Sequence, residues 1–169
     1  MQIRKLALLS LGAVALLAAA GPTSAAPFLI VGNDEKLIWD DQGKPVLHPA
    51  GKDTVVILDL ADPENPKTLA TLPLKNSVVG PPVNLAIDPT NSIALVADSI
   101  DVTQDGDKLK MGPDNKVYVI DLKAKPPKLA NTVTLGKQPS GLSFNKAGTL
   151  ALVTNRVDKS VSVLSIKGT

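Results

Sequence analysis

A fourteen-residue segment recurs in this chain at an offset of 57 residues, with no gap. Leu85-Ala86-Ile87-Asp88-Pro89-Thr90-Asn91-Ser92-Ile93-Ala94-Leu95-Val96-Ala97-Asp98 aligns with Leu142-Ser143-Phe144-Asn145-Lys146-Ala147-Gly148-Thr149-Leu150-Ala151-Leu152-Val153-Thr154-Asn155. Apolar residues coincide at 85/142, 87/144 and from 93/150 to 96/153, with polar turn residues between them. Phe28–Asn33 reads as an earlier copy of Ala94–Asp98 and Ala151–Asn155. A second tract occurs three times, at Val55–Leu60, Val117–Leu122 and Val161–Ile166, and a third twice, at Leu69–Leu74 and Ala130–Leu135. Repetition of this kind marks an architecture built from copies of one small unit.

Each tract is short, rich in β-branched residues and bounded by Gly, Pro, Asn or Asp, the pattern of a strand. Asn91 and Gly148 fall where tight turns need a positive φ. Val55–Leu60 and Val117–Leu122 are apolar on both faces apart from one Asp each. Such strands must be covered on both sides. The mature chain has no amphipathic helical stretch, so other sheets must provide the cover. Sheets of four short strands stacked around an axis make a β-propeller. With strands labelled A to D in each blade, ten are expected. Blade I (27–75) has B, C and D at 28–33, 54–60 and 68–74. Blade II (82–136) has all four, at 84–88, 92–97, 116–122 and 130–135. Blade III (139–169) has A, B and C at 141–145, 149–154 and 160–166. The expected fold class is therefore all-β, an incomplete ring of about two and a half blades where closed propellers have about four to eight. Either the chain is a shortened member of a longer family, the preferred reading, or several copies close a ring.

The sequence begins with Arg4 and Lys5, then a fifteen-residue apolar or small run, Leu6–Ala20, then Gly21-Pro22 and the small residues Thr23-Ser24-Ala25. This is the order of a secretory leader cut after Ala25. An uncleaved membrane anchor is the rival reading, but a spanning helix needs about 20 apolar residues. A periplasmic or secreted location is expected. Without Arg4 and Lys5 the chain carries 16 basic and 16 acidic side chains. That balance, with Phe28, Trp39, Tyr118 and Phe144 as the only aromatics, lacks the basic field and stacking platform of a nucleic-acid binder. The absence of Cys excludes a disulfide scaffold, a zinc ribbon and a thiol nucleophile.

Leu152-Val153-Thr154-Asn155, followed by Asp158-Lys159-Ser160-Val161-Ser162-Val163, resembles the Tyr-Val-Thr-Asn (YVTN) β-propeller repeat, with Leu in place of the leading Tyr. Gly136-Lys137-Gln138-Pro139 before Ser140-Gly141-Leu142 is similar to that family's junction between blades, and Leu95-Val96-Ala97-Asp98 to a degenerate copy of the repeat. The resemblance runs from about Phe28 to Ile166 and is closest over Gly136–Ile166. It implies an extracytoplasmic, seven-bladed relative of lactonase-like and quinoprotein amine dehydrogenase-like propellers. A shared fold by itself supplies no activity.

In a four-stranded meander the B–C and D–A connections emerge at one end. The B–C spacings, from Ile30 to Val55, Leu95 to Val117 and Leu152 to Val161, are 25, 22 and 9 residues. Two of the three therefore carry insertions at the same end, and long loops in compact domains often serve function. The first insertion, Glu35–Lys52, holds the only Trp and the only His. It reads as a ligand lip with Trp39 as an apolar platform, Asp40 and Asp41 as acceptors and His48 as a metal or proton site. The plainer alternative is a small hairpin turning at Gly43, with Trp39 packed on the blade and His48 solvated. The second insertion, Ser99–Asn115, contributes Asp101, Asp105, Asp107 and Asp114. Clustered carboxylates suit hard cations, but their spacing fits no EF-hand loop, and Lys108 and Lys110 offset the charge. A solvated turn at Asp105-Gly106 is expected, with no metal. Asp59 and Asp121 read as structural turn partners.

The chain has no Gly-x-Ser-x-Gly elbow and no phosphate-cradling Gly-rich loop, so no catalytic residue and no cofactor is expected. The leading reading is an exported binding or scaffold module. Its partner is a protein or small molecule, membrane contact is limited to an uncleaved leader, and open blade edges offer self-association. The alternative is a remnant or subunit of a lactonase-like or quinoprotein-like enzyme that needs further blades to complete a site.

Overall fold

In the computed structural model, residues 27–77 and 84–167 are described. The leader expected over 1–25 lies outside them. Twelve strands form, and no helix occurs among the described residues. Three antiparallel sheets follow one another along the chain. The first takes β1 (Phe28–Asn33), β4 (Thr54–Asp59) and β5 (Lys67–Leu72), in that order. The second takes β6 (Leu85–Ile87), β7 (Ile93–Asp105), β8 (Lys108–Asp121) and β9 (Lys128–Thr134). The third takes β10 (Pro139–Phe144), β11 (Leu150–Asn155) and β12 (Ser160–Ser165). A separate hairpin of β2 (Leu37–Trp39) and β3 (Pro45–Leu47) fills the first insertion. Apart from that hairpin, these are the ten expected strands, grouped three, four and three.

Register shows why the sheets stack. Successive side chains of a strand point to opposite faces. On β7, Ala94 and Val96 join Tyr118, Ile120 and Leu122 in a cluster with Ile30, Val55 and Ile57 of the first sheet and Leu74 just after it. Leu95 and Ala97 turn the other way, with Val117, to meet Ala151 and Val153 of the third. The second sheet is thus covered on both faces, as its two-sided apolar strands require. The architecture is a set of unclosed β-propeller blades.

The two flanking sheets are covered on one face only. On the third, Leu152 pairs with Val163 in the ladder, and Thr154 with Val161. Leu152 is 50% exposed, Val161 56% and Val163 63%. On the first, Leu29 and Val31 are exposed. The expectation that Val55–Leu60 is covered on both faces is met on one: Val55 and Ile57 are buried, whereas Val56 and Leu58 are half-buried.

The turns follow the repeat. Asn91 has φ 53° and Gly148 φ 69°. The Asp88 carboxylate accepts the backbone N–H groups of Thr90, Ser92 and Ile93 at 2.9, 2.6 and 2.7 Å. Its counterpart Asn145 accepts those of Thr149 and Leu150 at 2.9 and 3.0 Å. Asp59 and Asp121 are turn acceptors as expected, for Ala61 N–H and for Lys123 and Ala124 N–H.

Candidate functional site

Buried polar side chains collect at the sheet end that carries the β1–β4 and β7–β8 connections. Lys36, 1% exposed, enters from the loop after β1. Its ammonium donates to the Asp53 carboxylate and to the Asn76 carbonyl, and lies 3.2 Å from Asp34. The Asn76 amide donates to the carbonyls of Asn33, Thr54 and Leu74, each at 3.2 Å. This close fit needs Gly32, where an added Cβ would stand 2.7 Å from Asn76 Oδ1. The network ties the connection after β5 to the loops of the same sheet. In the neighbouring seam the Ser99 hydroxyl donates to the Pro139 carbonyl.

Between these two seams lies Asp98, partway along β7. It is 0% exposed, and neither carboxylate oxygen has a hydrogen-bond partner among the described residues. Asp98 shares a strand face with Ala94 and Val96 and so faces the first sheet. Beyond it the β7–β8 ladder shifts register, with Asp98 opposite Lys116 and Ile100 opposite Pro113. Ser99 on β7 therefore stands against two residues of β8, Asp114 and Asn115. A bulge of this sort bends a strand and re-aims side chains. Strand alternation alone sends Asp98 and Asp101 to opposite faces. Across the bulge, one carboxylate oxygen each of Asp98, Asp101 and Asp114 lies within 4.8 Å of the others.

Two lysines serve two of these acids. Lys75 donates to Asp101, and Lys116 donates to both oxygens of Asp114 at 2.8 Å. Burial pushes the Asp98 carboxyl up to about 7, with Asp114 and Asp101 adding to the rise and Lys36 and Lys75 opposing it. Burial also raises Asp114, but the Lys116 ammonium and the Asn115 and Lys116 N–H groups outweigh it and hold the carboxyl below the usual range. The bond to Asp101 raises Lys75 against the opposing effect of burial. Among the described residues the three acids form a hard-oxygen donor set at one rim of the seam between the first two sheets.

The residues singled out from sequence are dispersed. Trp39 is 63% exposed, so the alternative in which it packs on the blade is corrected: Leu37, on the same strand, is the side chain that the hairpin buries. Asp40 closes the hairpin turn, accepting Gln42 and Lys44 N–H at 2.9 and 2.8 Å, with Gly43 at φ 72°. Asp41 and His48 are exposed. The insertion 99–115, read as a long loop, is instead a ladder that extends β7 and β8 on either side of the expected turn at Asp105-Gly106. Its tip turns at Gly106, φ 59°, with Asp105 and Asp107 exposed there. Of the residues singled out in the two insertions, Asp101 and Asp114 reach the acid cluster. Asp98 was missed, although the repeat marks it: its counterparts are Asn33 and Asn155.

Fold and site together define an incomplete β-propeller with an acidic rim. Among solved structures, a chain of hydrazine synthase from Kuenenia stuttgartiensis matches with a TM-score of 0.50 at 16% identity, over 82% of this chain and 42% of that one. A chain assigned as a 6-phosphogluconolactonase from Bacteroides fragilis matches with a TM-score of 0.49 at 14% identity, over 78% of this chain and 34% of that one. This chain thus spans well under half of either neighbour. At these identities the likeness concerns the fold alone. Neither a family model nor a curated protein matches the sequence.

Proposed function

We propose that the chain is an exported β-propeller segment that works by binding, with its open flanks as the scaffold contact. The leader pattern of residues 1–25 supports export. One observation carries the binding role. Leu152, Val161 and Val163 form an exposed apolar patch on the outer face of the third sheet, and Leu29 and Val31 face outward on the first. Contiguous exposed apolar patches mark contact sites. These residues resemble in size and alternation those that fill the two internal seams. The surface they match best is therefore another propeller-type sheet, supplied by a further blade or by a second copy of the chain. The edge strand β12, paired only with β11, offers unpaired backbone groups beside the patch.

Sedimentation of the processed chain over a range of concentrations, beside Val161→Lys/Val163→Lys, tests this. The expected result is concentration-dependent association that the double variant loses while keeping its β-sheet circular dichroism. A monomer at every concentration, or association unchanged in the variant, would refute the proposal.

A further inference from the structure

We propose that Asp98, Asp101 and Asp114 bind a hard divalent cation, with Ca2+ the ion their arrangement fits best. Comparison of the three sheets carries the inference. At the end of β1, the Asn33 amide donates to Thr54 Oγ1 on the adjacent strand at 3.1 Å. At the end of β11, the Asn155 amide donates to Ser160 and Ser162 hydroxyls at 3.1 and 2.9 Å. In the second sheet both partners change. The Asn becomes Asp98, and the residue opposite it becomes Lys116. That lysine does not serve Asp98; it turns to Asp114. The neighbouring Lys36 is held by Asp53, Asp34 and the Asn76 carbonyl. A fully buried carboxylate is thus left with two oxygens that no donor among the described residues meets, at a position where the other sheets carry a neutral amide whose N–H groups donate to hydroxyls and which at Asn155 leaves one oxygen unmet. Leaving such a group unmet is costly, and a cation relieves it.

The other two acids complete a donor set. Their oxygens lie within 4.8 Å of that of Asp98, a span one Ca2+ bridges with bonds of about 2.3–2.6 Å. Mg2+ demands a near-octahedral shell at about 2.0–2.1 Å, which a ladder-held set of carboxylates accommodates less readily. The donors are all carboxylate, without the thiolate or imidazole that softer metals favour. Lys75 now shields Asp101, but its side chain is 42% exposed, so it can swing to solvent when a cation arrives. Asp105 and Asp107, at the far tip of the same hairpin, take no part. The inference stands whether or not the flanks bind another sheet.

The test is thermal unfolding of the chelator-treated chain against added CaCl2, with MgCl2 in parallel and calorimetric titration of Ca2+ for stoichiometry. The variants are Asp98→Asn, which restores the residue found at this place in the other two sheets and so is expected to fold, and Asp105→Asn as the tip control. The melting temperature should rise with Ca2+ and saturate in the micromolar-to-millimolar range, with one ion per chain. Asp98→Asn should lose that response and Asp105→Asn keep it. No rise in the unmutated chain, or an equal rise in Asp98→Asn, overturns the site; a larger response to Mg2+ overturns the choice of ion.

Discussion

Lys36 shows how one side chain fixes a loop. Its ammonium is surrounded by the Asp53 and Asp34 carboxylates and the Asn76 carbonyl, away from water. Removing one partner of a buried ion pair leaves an uncompensated charge, at a cost of about 3–5 kcal/mol. Lys36→Met keeps the length and much of the volume of the stem but deletes the charge. Urea unfolding should show a loss of that size, and a loss below about 1 kcal/mol would mean that the pair behaves as a surface one. Nothing in the sequence singles Lys36 out, because two of its three partners lie 17 and 40 residues further on. Asp98 was legible in principle. The aligned repeats place it under Asn155, and a charge where copies carry an amide is a signal that composition and spacing motifs cannot register.

At the scale of elements, the turns repay the closest comparison. Asp88 and Asn145 occupy the same place and accept the same kind of backbone N–H bonds. Asp88 does so with a charge. Burial raises its carboxyl, but the N–H groups of Ile93, Thr90 and Ser92 and the Thr90 hydroxyl prevail and hold it below the usual value of 3.8. A group depressed in the folded state stabilises above its unfolded pKa, and that contribution fades as pH falls through the folded one. The chain should therefore lose stability below about pH 4 partly through this turn. Asp88→Asn should fold at neutral pH, as its counterpart does, and show a shallower decline in melting temperature between pH 5 and 3; an unchanged decline would assign the acid sensitivity elsewhere.

The strands themselves were plain in the sequence, since period-two alternation and Gly, Asn and Asp punctuation are local signals. The insertions were less so. Ser99–Asn115 reads as loop because Pro113, Gly112 and four acids interrupt the apolar pattern. In the fold, pairing along β7 and β8 overrides those weak propensities. Trp39 offers two readings in the sequence, ligand platform or packed ring, because an aromatic body serves either. In the fold the ring stays largely in solvent, while Leu37, two residues earlier on the same strand, is buried.

At the scale of the molecule, the middle sheet explains the whole. Its strands are apolar on both faces, and that property, legible in Val117–Leu122, dictates a sandwich of sheets. What the repeat did not reveal is convergence. A bulge two residues long against one brings Asp98, Asp101 and Asp114 together, and bulges depend on local twist that linear spacing does not encode. The exposed outer patches follow from the same logic as the seams: each sheet presents two faces, and the flanking ones meet a neighbour on one.

Methyl NOE spectroscopy of the processed chain tests that stacking most directly. Cross-peaks are expected between Val55 or Ile57 and Ala94, Val96 or Ile120, and between Leu95, Ala97 or Val117 and Ala151 or Val153. A spectrum in which these methyls show contacts only within their own sheets would contradict the stacked-blade architecture and the acidic rim built on it.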